Sequence, residues 1–284
     1  MVNNYRGAED TQLFSRVVNQ LRRFFLQKGF VEVHTQDRLS ILAACEDPST
    51  VASYGYAGTV WPLPQTGQMW LEYELLTQAS LKGVFCVSTS YRNEPKPIPG
   101  RHKIIFPMFE FESKGDISDL RALEEDLLAS LGFGEKGKFV HKSYDELAQY
   151  YKVPELTTNE ENRMKEDFGN VVFLEQFPQY TSPFWNMKKN GAHANKIDVI
   201  INGQETIGSA ERSINPAEMR ELFHTISDGG YAKKLYELFG QERVEKELEE
   251  FLSLQFFPRF GGGIGMTRLM SAVAAKERQA VYSL

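Results

Sequence analysis

The sequence predicts an antiparallel α+β fold, a sheet built from β-hairpins with helices grouped around it. Three observations carry that expectation. Residues from Tyr91-Arg92-Asn93-Glu94 to Phe106-Pro107-Met108-Phe109-Glu110-Phe111-Glu112 alternate like two strands joined by a long basic turn. The apolar run 196–201 enters Asn202-Gly203, the strongest short hairpin signal. Between such strands lie segments whose apolar residues recur at helical spacing.

In chain order, Thr11 to Lys28 repeats Leu13, Val17, Leu21, Phe24 and Phe25 on one helical face, with Asp10 placed as N-cap and Gly29 as stop. Residues 30–34, 83–94, 104–112, 171–176 and 196–209 are rich in Val, Ile and Phe and read as strands. Asn215-Pro216 opens a helix ending near Asp228-Gly229-Gly230, and a charged amphipathic helix covers roughly 231–253.

Composition narrows the class. The chain has 284 residues, 42% hydrophobic and 25% charged, enough to bury a large core. No Pro/Gly/Ser-rich linker, repeat or low-complexity tract divides it, so a single domain over 1–284 is expected. A net charge of -6 argues against broad electrostatic capture of nucleic acid. The two cysteines, Cys45 and Cys86, lack metal-ligand spacing and read as reduced thiols of a cytoplasmic protein. No apolar run is long enough to span a bilayer, and the polar N-terminus is no signal peptide.

Two segments carry chemistry. Residues i and i+2 of a strand share a face, so Arg92 and Glu94 point into one space. An Arg there clamps a phosphate or carboxylate, a Glu accepts from an amino group such as that of a base, and Phe106 offers a flat apolar face. The second segment is Gly261-Gly262-Gly263-Ile264-Gly265-Met266-Thr267-Arg268. Its glycines allow close approach of backbone to a ligand or to another element. Arg268 falls near a helix start, where N–H groups favour anions.

Together these segments resemble motifs 2 and 3 of the class II aminoacyl-tRNA synthetases, in the aspartate/asparagine/lysine branch. Gly29-Phe30-Val31-Glu32-Val33-His34-Thr35 resembles motif 1, with Gln36 where the family has proline. Thr66-Gly67-Gln68-Met69-Trp70-Leu71-Glu72 resembles the asparaginyl-type amino-acid-binding segment. Phe177-Pro178 through Pro183-Phe184-Trp185-Asn186-Met187 and Ile197-Asp198 through Gln204-Glu205, followed by Gly208 and Arg212, match further segments of the branch. The resemblance covers nearly the whole chain. It implies a six- or seven-stranded antiparallel sheet flanked by helices, a homodimer built on motif 1, and a catalytic core without the N-terminal anticodon-binding barrel.

It also implies roles. Arg92 would hold the ATP α-phosphate and the amino-acid carboxylate, Glu94 the adenine amino group, and Phe106 the adenine ring. Arg101 or His102 would reach the outer phosphates. Gly263 and Gly265 would border the nucleotide, and Arg268 would lie near adenine and pair with the γ-phosphate. Asp198 and Glu205 would hold Mg2+ against the triphosphate, Gln68 the substrate amino group, and Arg212 the substrate side chain. Three departures bear on substrate. Leu71 replaces the lysine of aspartyl enzymes. Ser209-Ala210-Glu211 replaces Gly-Gly-Ser, so Glu211 would stand beside the substrate side chain and repel a carboxylate or bind ammonium or an amine, or else face solvent. Thr267 replaces the acidic residue of motif 3, as a small hydroxyl residue does in ammonia-dependent asparagine synthetases of this fold.

The implied chemistry is attack of a carboxylate on the α-phosphorus of ATP, giving an acyl-adenylate and pyrophosphate. Positioning and charge stabilisation suffice, without a nucleophilic triad. Asparagine synthesis from aspartate and ammonia, with release of AMP, is the leading reading. Aminoacyl transfer to tRNA or a protein and a non-catalytic regulatory role stand beside it. The acidic balance and the absent barrel point away from tRNA.

Overall fold

The computed structural model describes residues 10–35, 39–44, 48–97 and 103–282. Its elements are α1 (Thr11–Gln27), β1 (Phe30–Glu32), β2 (Ser53–Tyr56), β3 (Thr59–Pro62), α2 (Gln68–Thr77), β4 (Gly83–Tyr91), β5 (Ile105–Lys114), α3 (Ile117–Ser130), β6 (Val140–Ser143), α4 (Tyr144–Tyr151), α5 (Thr158–Phe168), β7 (Val171–Pro178), β8 (Lys189–Asn190), β9 (His193–Ile201), β10 (Gln204–Glu211), α6 (Pro216–Thr225), α7 (Gly230–Phe239), α8 (Gln241–Leu252), β11 (Arg259–Gly265) and α9 (Met266–Tyr282).

One large sheet has the order β1-β4-β5-β11-β10-β9-β7-β6, with β8 paired to β9, and β2-β3 forms a separate hairpin. It holds nine strands, not six or seven. The six central strands from β4 to β7 pair antiparallel, as expected. The additions are β1 and β6, parallel to their neighbours, and the short β8. β1 falls within the strand expected over 30–34, while β6 and β8 run for only 4 and 2 residues, too few to leave a periodic trace.

Local signals account for several boundaries. Asp10 caps α1 by accepting from the Leu13 N–H at 2.9 Å, and Gly29 follows with φ +85°. Asn202 (φ +53°) and Gly203 (φ +79°) are both left-handed, the pair of angles a type I′ turn needs to join β9 to β10. The helix expected over 231–253 is two, α7 and α8, broken at Gly240, whose φ is +86°.

The sheet's faces divide the molecule. Phe85, Phe109, Phe111, Ile197, Val199, Ile207 and Ile264 form one core with α1, α3 and α9. A second core gathers Trp185, Met219, Phe223, Tyr231, Leu235 and Leu248 from the β8–β9 approach and α6–α8. On the sheet face away from α1, Cys86, Glu110, Glu112, Asp198, Gly208, Gly261 and Gly263 are aligned by register. Among the described residues no helix is long and apolar enough to cross a membrane.

Candidate active site

The cleft lies on that second face. Arg92, Glu94, Lys103, Phe106, Glu205, Gly208, Gly263, Gly265, Thr267, Arg268 and Gln68 all line it. Segments almost two hundred residues apart meet there because β4, β5, β11, β10 and β9 are consecutive neighbours in the sheet. Arg101 and His102 lie outside the described residues.

Registers define the floor. Asp198 of β9 stands opposite Gly208 of β10, Gly208 opposite Gly263 of β11, and Gly263 opposite Glu110 of β5. Two acids thus bracket two glycines in a single row, about 14 Å across at about 4.8 Å per strand spacing. The glycine-rich run is itself the strand β11, and α9 starts directly after it. None of its glycines has positive φ, so they are there for room. A Cβ on Gly261 would lie 2.0 Å from Glu112 Oε1, one on Gly262 2.6 Å from Ser209 Cβ, and one on Gly263 2.9 Å from Met108 Cε.

Strand β4 ends at Tyr91, so Arg92 and Glu94 sit just beyond it, yet both reach the cleft. The Arg92 N–H donates to the Ile104 carbonyl at 2.8 Å, which continues the pairing into the turn. Its guanidinium lies 5.8 Å from the Phe106 ring centroid. Arg268, in the first turn of α9, donates from Nη1 to the Glu205 carbonyl at 2.5 Å and lies 3.9 Å from Glu205 Oε2. Gln68 opens α2 and donates from Nε2 to Glu72 Oε1 at 3.1 Å.

Asp198 and Glu205 do come together: a Cβ on Gly208 would sit 3.0 Å from Glu205 Oε1 and 3.6 Å from Asp198 Oδ1. Asp198 Oδ2 accepts from Lys196 Nζ at 2.7 Å, while Oδ1 is buried with no hydrogen-bond partner among the described residues. Burial pushes the Asp198 carboxyl up to about 8 against the pull of Lys196, with Glu205 pushing the same way. A cation would complete that orphaned oxygen. Among the described residues no cluster of three or more His, Cys, Asp and Glu could hold a metal. Magnesium, however, needs only one or two protein carboxylates when phosphate oxygens and water supply the rest, so the pair fits it.

Two expected residues stand elsewhere. Strand alternation puts Glu211 on the α3 side of β10, because Gly208 and Ala210 take the cleft side. It is neither in the cleft nor in solvent: it is 2% exposed, accepting from Lys188 Nζ and Asn195 Nδ2 at 2.7 Å each. Arg212 keeps the cleft parity but lies beneath the wall, 1% exposed, with Nε and Nη2 on Glu112 Oε1 at 3.1 and 2.6 Å. It belongs to a dry ionic cluster. Arg259 donates to Glu72 Oε2 at 3.1 and 2.7 Å, Asn186 Nδ2 donates to Glu72 Oε1 at 2.6 Å, and Arg212 Nε is 3.8 Å from Glu72. Burial pushes Glu112 up to about 8, opposed chiefly by Arg212. Through Glu72 this cluster braces Gln68 from behind.

Sequence reasoning passed over Glu110. It is buried on the cleft face, and its carboxylate accepts from Thr66 Oγ1, from Ser88 Oγ and from the Gly67 N–H at 2.8 Å. It thereby clamps the loop that presents Gln68. The signal was available: Phe106, Met108, Glu110 and Glu112 share one face by period two.

Comparisons with known proteins agree with this architecture. The family described as tRNA synthetases class II (D, K and N) matches residues 3–279. The aspartate–tRNA(Asp) ligase of Pyrobaculum aerophilum is 25% identical over 91% of this chain and 62% of its own length. The asparagine–tRNA ligase of Koribacter versatilis is 23% identical over 95% of this chain and 66% of its own. The structure of asparaginyl-tRNA synthetase from Pyrococcus horikoshii complexed with asparaginyl-adenylate superposes with a TM-score of 0.74 at 21% identity, covering 92% of this chain and 64% of that one. The chain therefore spans about three fifths to two thirds of the length of these relatives. With the family profile matched almost from end to end, the chain belongs to the class II tRNA synthetases of the D, K and N group.

Proposed function

We propose that this chain activates the carboxylate of an amino acid with ATP, forming an acyl-adenylate and pyrophosphate. The observation that carries the reading is the meeting in one cleft of Arg92, Glu94 and Phe106 with Gly263, Gly265, Arg268, Glu205 and Gln68. Adenine would lie on Phe106 with its amino group toward Glu94. Arg92 would stand where negative charge grows at the α-phosphorus, a placement that stabilises the transition state more than the ground state. A carboxylate oxygen attacks that phosphorus, the bond to the bridging oxygen breaks, and pyrophosphate departs. Asp198 and Glu205 would hold magnesium, which offsets charge on the triphosphate when bound.

The substrate proposed is aspartate or asparagine, held by its amino group at Gln68. For the acceptor, Thr267 on the cleft wall supports ammonia, giving asparagine from aspartate with release of AMP. Glu211 lends that reading nothing, since it faces away. Transfer to tRNA or a protein is the second reading, and the named relatives, all tRNA ligases, favour its tRNA form. The test supplies ATP and each of aspartate, asparagine and lysine, with and without ammonium or tRNA, and follows AMP, ADP and pyrophosphate. AMP and pyrophosphate are expected. ADP and phosphate would refute adenylation, and intact ATP in every arm would leave a regulatory role. Turnover that requires tRNA and ignores ammonium would remove the asparagine synthesis reading.

A further inference from the structure

Lys196 stands two residues before Asp198 on β9 and so shares its face. Its ammonium is not a loose surface charge. It lies 3.9 Å from the Phe177 ring centroid and donates to Asp198 Oδ2 at 2.7 Å, and the side chain is 22% exposed. Phe177 belongs to the core that β7 and β9 form with α4 and α5, so the ring that seats the ammonium is itself fixed.

Glu205 also has a cation on its far side. Arg268 Nη1 is 3.9 Å from Glu205 Oε2, while Glu205 Oε1 and Asp198 Oδ1 converge over Gly208. Two bases thus offset the two acids from behind. A third acid, Glu161 of α5, acts on Asp198 less than Glu205 does. A divalent ion arriving alone meets little uncompensated charge. Whether it displaces a proton from Asp198 or meets the bare carboxylate, it makes the space beside Lys196 more positive, so Lys196 opposes its entry either way. A triphosphate changes the balance, because it brings negative charge and the phosphate oxygens that magnesium prefers.

We propose, resting on Asp198 and Glu205 as the metal ligands, that Lys196 is a positioning residue that holds the Asp198 carboxylate against metal in the nucleotide-free chain, so that a divalent cation loads only together with the nucleotide. Phe177 keeps the ammonium in place for that task, and the two-residue spacing on β9 ties it to this one carboxylate.

The test titrates the nucleotide-free full-length protein with Mn2+, which takes the same oxygen ligands as magnesium, and follows the loss of the free-ion paramagnetic resonance signal. Wild type should bind Mn2+ weakly. Lys196→Met, which keeps an apolar stem on Phe177 and removes the charge, should tighten binding at least tenfold. Lys196→Arg, which keeps the charge, should resemble wild type, as should Lys189→Met, which removes an exposed lysine of β8. Adding Asp198→Asn to Lys196→Met should abolish the gain. Melting temperatures establish that each variant folds, and should Lys196→Met fail to fold, Lys196→Gln decides in its place. In a separate arm Mg2+ should tighten binding of a non-hydrolysable ATP analogue to wild type, and Asp198→Asn should reduce that effect. If Asp198→Asn leaves it unchanged, Asp198 is no ligand and the role of Lys196 falls with it. If Asp198→Asn reduces it but the uncharged variants of Lys196 bind Mn2+ no tighter than wild type, Lys196 is a structural partner only and the metal ligands stand. Stoichiometric Mn2+ binding by nucleotide-free wild type at micromolar protein would overturn the proposal without any variant.

Discussion

Replacing Arg212 tests whether it reads the substrate or holds up the wall behind it. Arg212, Arg259, Glu72 and Glu112 are all 0–1% exposed. Arg212→Met fits the volume but leaves Glu112 without its cation. Above pH 8, where Glu112 carries its charge, breaking the buried pair by removing one partner costs about 3–5 kcal/mol. At roughly 2–4 °C per kcal/mol for large domains, the melting temperature should fall by roughly 6–20 °C. The loss should depend on pH. Glu112 is already raised to about 8 from the ordinary carboxyl value of 4.5, so between those values the folded chain binds more protons than the unfolded one. Its contribution therefore declines as pH rises through that window. Without Arg212 the carboxyl rises further, so the variant should recover toward wild type at pH 5–6 and lose most above pH 8. Adding Glu112→Gln removes the stranded charge, and the double variant should be more stable than Arg212→Met alone, a coupling expected of contacting residues. The assay is thermal and urea denaturation of the three variants across pH. A melting temperature for Arg212→Met within about 2 °C of wild type above pH 8, a change worth under about 1 kcal/mol, together with loss of amino-acid binding, would refute the structural role and restore Arg212 as a substrate reader.

Other outcomes follow from single residues. Glu124 is wholly buried and its carboxyl is pushed up to about 8, mainly by burial; Glu124→Gln should match wild type near pH 5 and exceed it in stability above pH 8, and identical denaturation curves at both pH values would contradict this. Gly261→Ala drives a Cβ to 2.0 Å from Glu112 and 2.4 Å from the Phe111 carbonyl, so it should cost at least about 1–3 kcal/mol in urea unfolding. Gly263→Ala meets only the mobile end of Met108; it should fold and show its defect as weaker ATP binding. Leu26 and Val31, 53% and 44% exposed beside the short edge strand β1, are proposed as part of a two-fold dimer interface; a monomeric mass by light scattering at micromolar concentration would exclude it.

What could be read in the sequence was what local chemistry decides. Asp10 caps α1 because an Asp before an apolar-periodic run has few other uses. Asn202-Gly203 fixes the β9–β10 hairpin because only such residues accept two positive φ angles cheaply. What escaped was decided by partners distant in sequence. Nothing within 140–143 announces a strand until β7 lies beside it. Gly240 looks like one weak residue in a long amphipathic helix, yet its backbone turns the chain. Glu211 adjoins a residue of the site face, and adjacency suggested a shared role; in a strand the neighbour points the other way. Arg212 has the right parity but the wrong depth, and depth depends on Glu112, a hundred residues earlier in the chain.

Parity also explains why glycine, and not merely a small residue, recurs here. In the row from Asp198 through Gly208 and Gly263 to Glu110, alanine at either central position would raise a methyl group between the two acids. In the next row Gly261 faces Ala210 on one side and Glu112 on the other. There alanine is tolerated at 210, where no carboxylate lies across from it, but not at 261. Two of these glycines therefore track the acids: Gly208 leaves room for Asp198 and Glu205, and Gly261 for Glu112. For Asp198 that room lies over Gly208 at the edge of the cleft, and for Glu112 it is the route to Arg212. A side chain lying flat over glycine is shielded by the strand beneath it and loses water, which is why Asp198 and Glu112 share raised proton affinity although only one adjoins the cleft. The same arrangement thus sets the shape of the site and the charge state of its walls, and altering one glycine should change both together.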